Sequence, residues 1–157
     1  GILHGVKKGA KVINVSIGGA FSSRAIEDAL AYAKKKGVLV VVASGNEGQN
    51  KLSYPARSQY AFSVGSTNRF DKRSSFSNYG KSQVDLFAPG EDILSAVPGG
   101  GYERNSGTSM AAPVVSGVAA LLVFAMSTEP SGFLTSQVQP EPKLPTALFV
   151  NASLKAA

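Results

Sequence analysis

The stretch Asn105-Ser106-Gly107-Thr108-Ser109-Met110-Ala111-Ala112-Pro113 puts a hydroxyl where chemistry could use it. Gly107 and the small Ala111 and Ala112 let the backbone approach a ligand closely. Pro113 suits an early helical position, where its missing N–H costs little. From Val114 to Phe124 the chain is apolar nearly all round, the pattern of a helix buried in a core. A serine at the mouth of such a helix lies among unpaired N–H groups at the positive end of the helix dipole, so negative charge developing beside it is stabilised. That suits acyl transfer, which needs a nucleophile, a base and donors aimed at the oxygen that becomes negative. Asn46 offers a neutral N–H2 donor just beyond the strand it follows, at the end of a parallel sheet where open α/β folds place their ligands. Alone, an Asn beside a Gly does no more than stabilise a turn; it gains meaning from the serine block.

Residues 12–17 and 38–43 are apolar on both faces, as buried parallel strands are, with a helix-period segment between them. That helix runs from about residue 22 to 36. Ser22 and Ser23 can cap it, Ala25, Ile26, Ala29, Leu30 and Ala33 form its inward face, and Gly37 stops it. Residues 61–66, 84–87 and 93–97 read as further strands, the last two split by Pro89-Gly90. Residues 46–58 and 68–82 read as surface loops, and Pro98-Gly99-Gly100-Gly101 as a flexible lead-in to the serine block. The fold class is α/β, with a mostly parallel sheet between helical layers. Residues 1–126 form the domain. Residues 127–157 are a tail of Pro-rich composition (Pro130, Pro140, Pro142, Pro145), in which residues 146–154 read as a displaced helix.

Several blocks occur in order: Val12-Ile13-Asn14-Val15-Ser16-Ile17-Gly18-Gly19, Val40-Val41-Val42-Ala43-Ser44-Gly45-Asn46-Glu47-Gly48, Tyr54-Pro55-Ala56, Ser63-Val64-Gly65-Ser66, Ser75-Phe76-Ser77-Asn78-Tyr79-Gly80, Phe87-Ala88-Pro89-Gly90 and the serine block. Over residues 11–124 this series resembles the subtilisin-like serine protease family. The resemblance implies a three-layer α/β/α subtilisin-like fold and a serine endopeptidase working through an acyl-enzyme. It makes Ser109 the nucleophile, and the Ser109 N–H and the Asn46 amide the two oxyanion donors. Ser16, Ile17 and Gly18 on one side, and Ala43, Ser44 and Gly45 on the other, become walls of the pocket for the side chain before the scissile bond. Walls so small leave a slot without fixed charge, hence an apolar or mixed preference, and backbone near Gly18 can pair with an extended substrate. The implied partner is a protein or peptide and the implied location secreted or extracytoplasmic. No cofactor is required for the chemistry and no metal ligand set is assigned. A weak carbonyl-based cation site is implied beside residues 54–60, but no carboxylate cluster supports a strong calcium site.

Two blocks of the family pattern are missing: Asp-Thr/Ser-Gly after a strand, and His-Gly-Thr-His at a helix start. The lone His4 sits in Leu3-His4-Gly5-Val6-Lys7, a helix end, and reads as an ordinary surface histidine. Asp28, Asp71, Asp85 and Asp92 lack the aspartate context. The chain therefore reads as the C-terminal part of a catalytic domain, with nucleophile and oxyanion hole but without the His and Asp of the triad. Its expected partner is the missing N-terminal part; by itself it is expected to be inactive and to expose an apolar strand edge. The alternative is a non-catalytic relative that keeps the fold as a binding or assembly module.

Other classes fit poorly. The net charge is +6, but Lys34-Lys35-Lys36 and Lys7-Lys8 fall at helix ends, where cations complement the dipole, and the other charges are scattered. That argues against nucleic acid as a partner. Neither G-x-G-x-x-G nor a complete G-x-x-x-x-G-K-[ST] loop is present, so a nucleotide-binding role has no motif. Residues 114–126 read as too short and interrupted to span a membrane. The chain opens without the basic start and apolar run of a signal peptide, and the absence of Cys excludes disulfides.

Overall fold

The runs Val-Ile-Asn-Val and Leu-Val-Val-Val-Ala build the centre of the sheet. In the computed structural model, which describes residues 1–80, 83–127 and the backbone of 148–150, they are β1 (Val12–Val15) and β2 (Leu39–Ala43), paired in parallel with Val12 opposite Leu39. The helix α1 (Ile2–Lys7) precedes β1, and α2 (Arg24–Lys35) crosses over between the two strands. β3 (Phe62–Thr67) and β4 (Leu86–Pro89) extend the parallel sheet on one side. A hairpin, β5 (Ile93–Ala96) with β6 (Tyr102–Asn105), leads to α3 (Thr108–Ser127), and β7 (Leu148–Val150) pairs in parallel with the other edge of β1. The sheet order is β4-β3-β2-β1-β7.

Each face of the sheet has its own core. Alternation along the strands sends Ile13, Val15, Val40 and Val42 toward α1 and α2, where they meet Leu30 and Ala33. It sends Val12, Val41 and Val64 toward α3, where they meet Ala111, Ala112 and Val115. The layers are α/β/α, as the sequence predicts, and the C-terminal ends of β1 and β2 open on one rim.

Several local expectations need correction. β1 ends at Val15 rather than 17, because the Ser16 hydroxyl turns to the carbonyl of Ser109 on α3. Ser23 stands at the N-cap of α2 with extended backbone but makes no side-chain cap bond, and Ala25 lies exposed while Ala29, Leu30 and Ala33 are buried. The loop after Asn46 is not all surface: Leu52, Ala56 and Ser58 are buried. β4 lies two residues later than expected and ends on Pro89, whose missing N–H an edge strand tolerates. The lead-in to the serine block is a hairpin turn. Gly99, Gly100 and Gly101 all take positive φ there, and β6 escapes prediction because Tyr-Glu-Arg-Asn is exposed throughout and carries no alternation. Leu148–Val150 is a strand, not part of a helix: its backbone finds an open partner in β1, so the expected free edge of that strand is paired. The rest of residues 146–154 lies outside the described residues.

The serine helix also departs from expectation. α3 is 20 residues long, enough by length and composition to cross a bilayer, with only 22% of its most apolar window buried. Its first half packs across the sheet, whereas Val118, Leu121, Leu122 and Met126 are exposed. Pro113 stands sixth in the helix, beyond the first turn.

Candidate active site

Ser109 occupies the second position of α3, beside a cavity of about 400 Å³ on the rim formed by the ends of β1 and β2. Ser16, Ile17 and Gly18 line one side and Ala43, Gly45 and Asn46 the other. Ser44 does not line it. That residue is fully buried behind the wall, its N–H on the Val64 carbonyl and its hydroxyl on the Asn78 carbonyl. The slot is not free of charge either: Glu27 and Glu47 also line it, and Phe21, 89% exposed, stands at its mouth.

The start of α3 leaves N–H groups without helical partners. The Thr108 N–H donates to Asn46 Oδ1 at 2.8 Å, and the Met110 and Ala111 N–H groups donate to the Gly107 carbonyl. The Ser109 N–H is left without a protein acceptor among the described residues, and its nitrogen and Asn46 Nδ2 lie 3.7 and 3.6 Å from the point that a Cβ on Gly107 would occupy. The Thr108 hydroxyl donates to the same Asn46 Oδ1 at 2.9 Å. Two donors on one oxygen fix the amide: Oδ1 is turned inward, and the Nδ2 amine is the end left for the cavity. Two neutral donors, the Ser109 N–H and Asn46 Nδ2, thus lie near one another at the start of α3.

The loop carrying Asn46 is held from behind. Asn78 Oδ1 accepts from the Glu47 and Gln49 N–H groups at 3.1 and 3.0 Å, and its Nδ2 donates to the Ser44 carbonyl and to the Glu47 carboxylate. Its own N–H donates to the Gly45 carbonyl at 3.0 Å. Gly45 adopts φ +106°, and a Cβ there would lie 2.3 Å from Asn78 Nδ2 and from Ser53 Oγ. Only glycine fits that turn. Thr108 and Asn78 were not singled out from sequence; both sit inside quoted blocks, and a short polar residue beside an apolar run was the available signal.

His4 and the four aspartates stand elsewhere. His4 is exposed on α1 and does not line the cavity. Asp85 accepts from the Ser63 N–H at 2.7 Å and Asp92 pairs with Arg104 at 3.2 Å. The loop at residues 54–60 commits several of its carbonyls to the protein itself. Its Tyr54, Pro55 and Ser58 carbonyls accept backbone N–H bonds, and the ammonium of Lys34 already occupies the Gln59 carbonyl.

Comparison with known proteins places this arrangement. The cell wall-associated protease of Bacillus subtilis (strain 168) is 56% identical over 122 residues, 78% of this chain and 13% of that protein. Thermitase of Thermoactinomyces vulgaris is 48% identical over 122 residues, 78% of this chain and 43% of that protein. Among solved structures, the patellamide maturation protease PatA superposes with TM-score 0.76 at 41% identity, covering 80% of this chain and 48% of that one. A cold-adapted subtilisin-like serine proteinase gives 0.74 at 45% identity, covering 79% and 46%. The chain spans less than half the length of each of these relatives. The model of the subtilase family, peptidase S8, matches residues 2–139, and the chain belongs to that family.

Proposed function

We propose that this chain supplies the nucleophile half of a serine endopeptidase site. The Ser109 hydroxyl attacks the scissile carbonyl of a peptide seated in the cavity between residues 16–18 and 43–46. The bond from Oγ to carbon forms as the carbonyl becomes an oxyanion, which the Ser109 N–H and Asn46 Nδ2 bind. Collapse expels the amine and leaves an acyl-enzyme for water to hydrolyse. The general base that takes the serine proton, and returns it to the leaving amine, comes from polypeptide outside these 157 residues, together with the carboxylate that orients it. The observation that carries this reading is the double lock on Asn46 Oδ1 by Thr108, which presets a neutral donor beside the hydroxyl.

The pocket takes an extended peptide, and the Glu47 carboxylate in its wall favours a cationic or polar side chain there over an acidic one. Substrates are proteins or peptides, and the location is extracytoplasmic, a placement supported by the cell wall-associated relative. The test is hydrolysis of a chromogenic peptide by the intact catalytic domain, with the acyl-enzyme trapped and its mass measured. Acylation on Ser109, absent in Ser109→Ala, is expected. A domain that binds the peptide but never acylates is a non-catalytic binding module, and the reading fails.

A further inference from the structure

Asn14 is a buried amide in the middle of an apolar strand, and no step of the chemistry above uses it. Burying an amide is costly unless its groups are paired, so its partners show what it does. Asn14 Nδ2 donates to Ser16 Oγ at 2.9 Å, and Asn14 Oδ1 accepts from Ser116 Oγ at 3.0 Å. Ser16 Oγ, which accepts from Asn14, spends its own proton on the Ser109 carbonyl at 3.0 Å. The Ser109 hydroxyl in turn rests on the Ser16 carbonyl at 3.5 Å. All three tying residues are buried.

Pro113 explains why the Ser109 carbonyl needs an outside donor. In an α-helix that carbonyl would accept from the N–H four residues on, and the residue four on is proline, which has none. The nucleophile's own carbonyl is therefore released from the helix, and the Ser16 hydroxyl, one residue past the end of β1, takes it. Ser116, one turn beyond Ala112, ties the same helix to Asn14, its single proton shared between Asn14 Oδ1 and the Ala112 carbonyl. The helix that carries the nucleophile is thus pinned to β1 at two points through one amide.

We infer that Asn14 is a positioning residue for Ser109: it orients the Ser16 hydroxyl, and through it fixes where the nucleophile's backbone sits relative to Asn46 in the loop after the neighbouring strand. The inference rests on the proposed peptidase reading for its kinetic consequence and on geometry alone for the tie. An uninterrupted carbonyl-to-amide ladder would leave the first turn of α3 with the Asn46 bonds at Thr108 but without the tie from the Ser16 hydroxyl. Cutting the ladder at Pro113 and replacing the lost bond with one from Ser16 converts a helix-internal restraint into a helix-to-sheet restraint.

The test uses the intact catalytic domain, these residues joined to the polypeptide that carries the imidazole, with kcat expressed per site titrated by a fluorophosphonate. Asn14→Ala is expected to lower kcat about tenfold to a hundredfold, the scale of a misplacement of up to about 1 Å. KM should change by less than about twofold, since substrate binding is untouched. Ser16→Ala should account for most of that loss, Ser16→Thr, which keeps the hydroxyl, should recover most of the rate, and adding Asn14→Ala to Ser16→Ala should cost only the smaller loss that goes with the Ser116 tie, well short of the sum of the two single losses. A purely structural Asn14 would lower the melting temperature and leave the rate per titrated site alone, and that result, or losses that simply add, overturns the inference. If Asn14→Ala does not fold, Ser116→Ala, which deletes one hydroxyl, should show a smaller loss of the same kind, and an unchanged rate there overturns it equally. If the unmodified domain has no titratable Ser109, the peptidase reading is what fails. Hydrogen exchange at the Met110 and Ala111 amides then decides the tie: faster exchange in Asn14→Ala or Ser116→Ala supports it, and unchanged exchange overturns it.

Discussion

The two halves of α3 are both mainly apolar and have opposite surroundings. From Thr108 to Ser116 the helix is locked: Thr108, Ala111, Ala112, Val115 and Ser116 are buried, and side chains from Asn46, Ser16 and Asn14 bond to it. From Val118 to Met126 it turns Leu121 (65% exposed), Leu122 and Met126 outward. The first half teaches that apolar sequence here serves packing within the chain, and that the polar residues interrupting it tie the start of the helix to neighbouring segments. The second half carries an apolar stripe that no surface among the described residues covers. A helix packed along one half and bare along the other fits the proposal that this chain supplies one part of a larger catalytic domain.

In the intact domain, Ser109→Ala should produce the largest effect on the locked half, a loss of about 10⁶ in kcat, a magnitude set by subtilisin itself, a member of this family. Peptide hydrolysis measures it, and a loss of less than about a hundredfold would remove Ser109 as nucleophile. Asn46→Leu should lower kcat by about 10²–10³ with little change in KM, again the subtilisin scale, because the amide acts on the oxyanion and not on bound substrate. An unchanged kcat would take Asn46 out of the mechanism.

The bare half of the helix is probed by stability. In denaturant titrations of this chain alone, Leu121→Ala should change stability by less than about 0.5 kcal/mol, as an exposed substitution does. In the intact domain the same change should cost about 2–5 kcal/mol if the stripe is covered there. Equal, small effects in both would break the comparison. Smallest of the series, Gly45→Ala forces a positive φ on a residue with a Cβ and should cost about 1–3 kcal/mol. It should also reduce kcat, because the loop it strains carries Asn46; a neutral result would show that the Asn78 staple can yield.

The rim was legible because its signals are local. Ser109 opens an apolar helix, Asn46 follows an apolar strand, and each stands in a block of fixed order; the structure brings them to one cavity with Ser16, Gly18, Ala43 and Gly45. The sheet core was legible from Val12, Ile13 and residues 39–43, whose apolar runs leave no alternative to burial. What the sequence hid depends on partners far along the chain. Nothing near Asn14 tells that Ser116, 102 residues away, will meet it, and nothing in Tyr102–Asn105 alternates, so β6 is defined only by its pairing with β5. The burial of α3 was overread for a physical reason: an all-round apolar helix tells that it must be covered, not which molecule covers it.

The most direct measurement of the central claim is peptide turnover by this chain alone and after mixing with the polypeptide that carries the triad aspartate and histidine, with Ser109→Ala as control in each arm. Without a positioned imidazole the hydroxyl stays protonated, so the chain alone should fall short of the completed site by about 10⁶, the cost of losing the base in subtilisin. Ser109-dependent turnover should appear on mixing. Ser109-dependent turnover by the chain alone, with His4 the sole imidazole among its residues, would contradict the account.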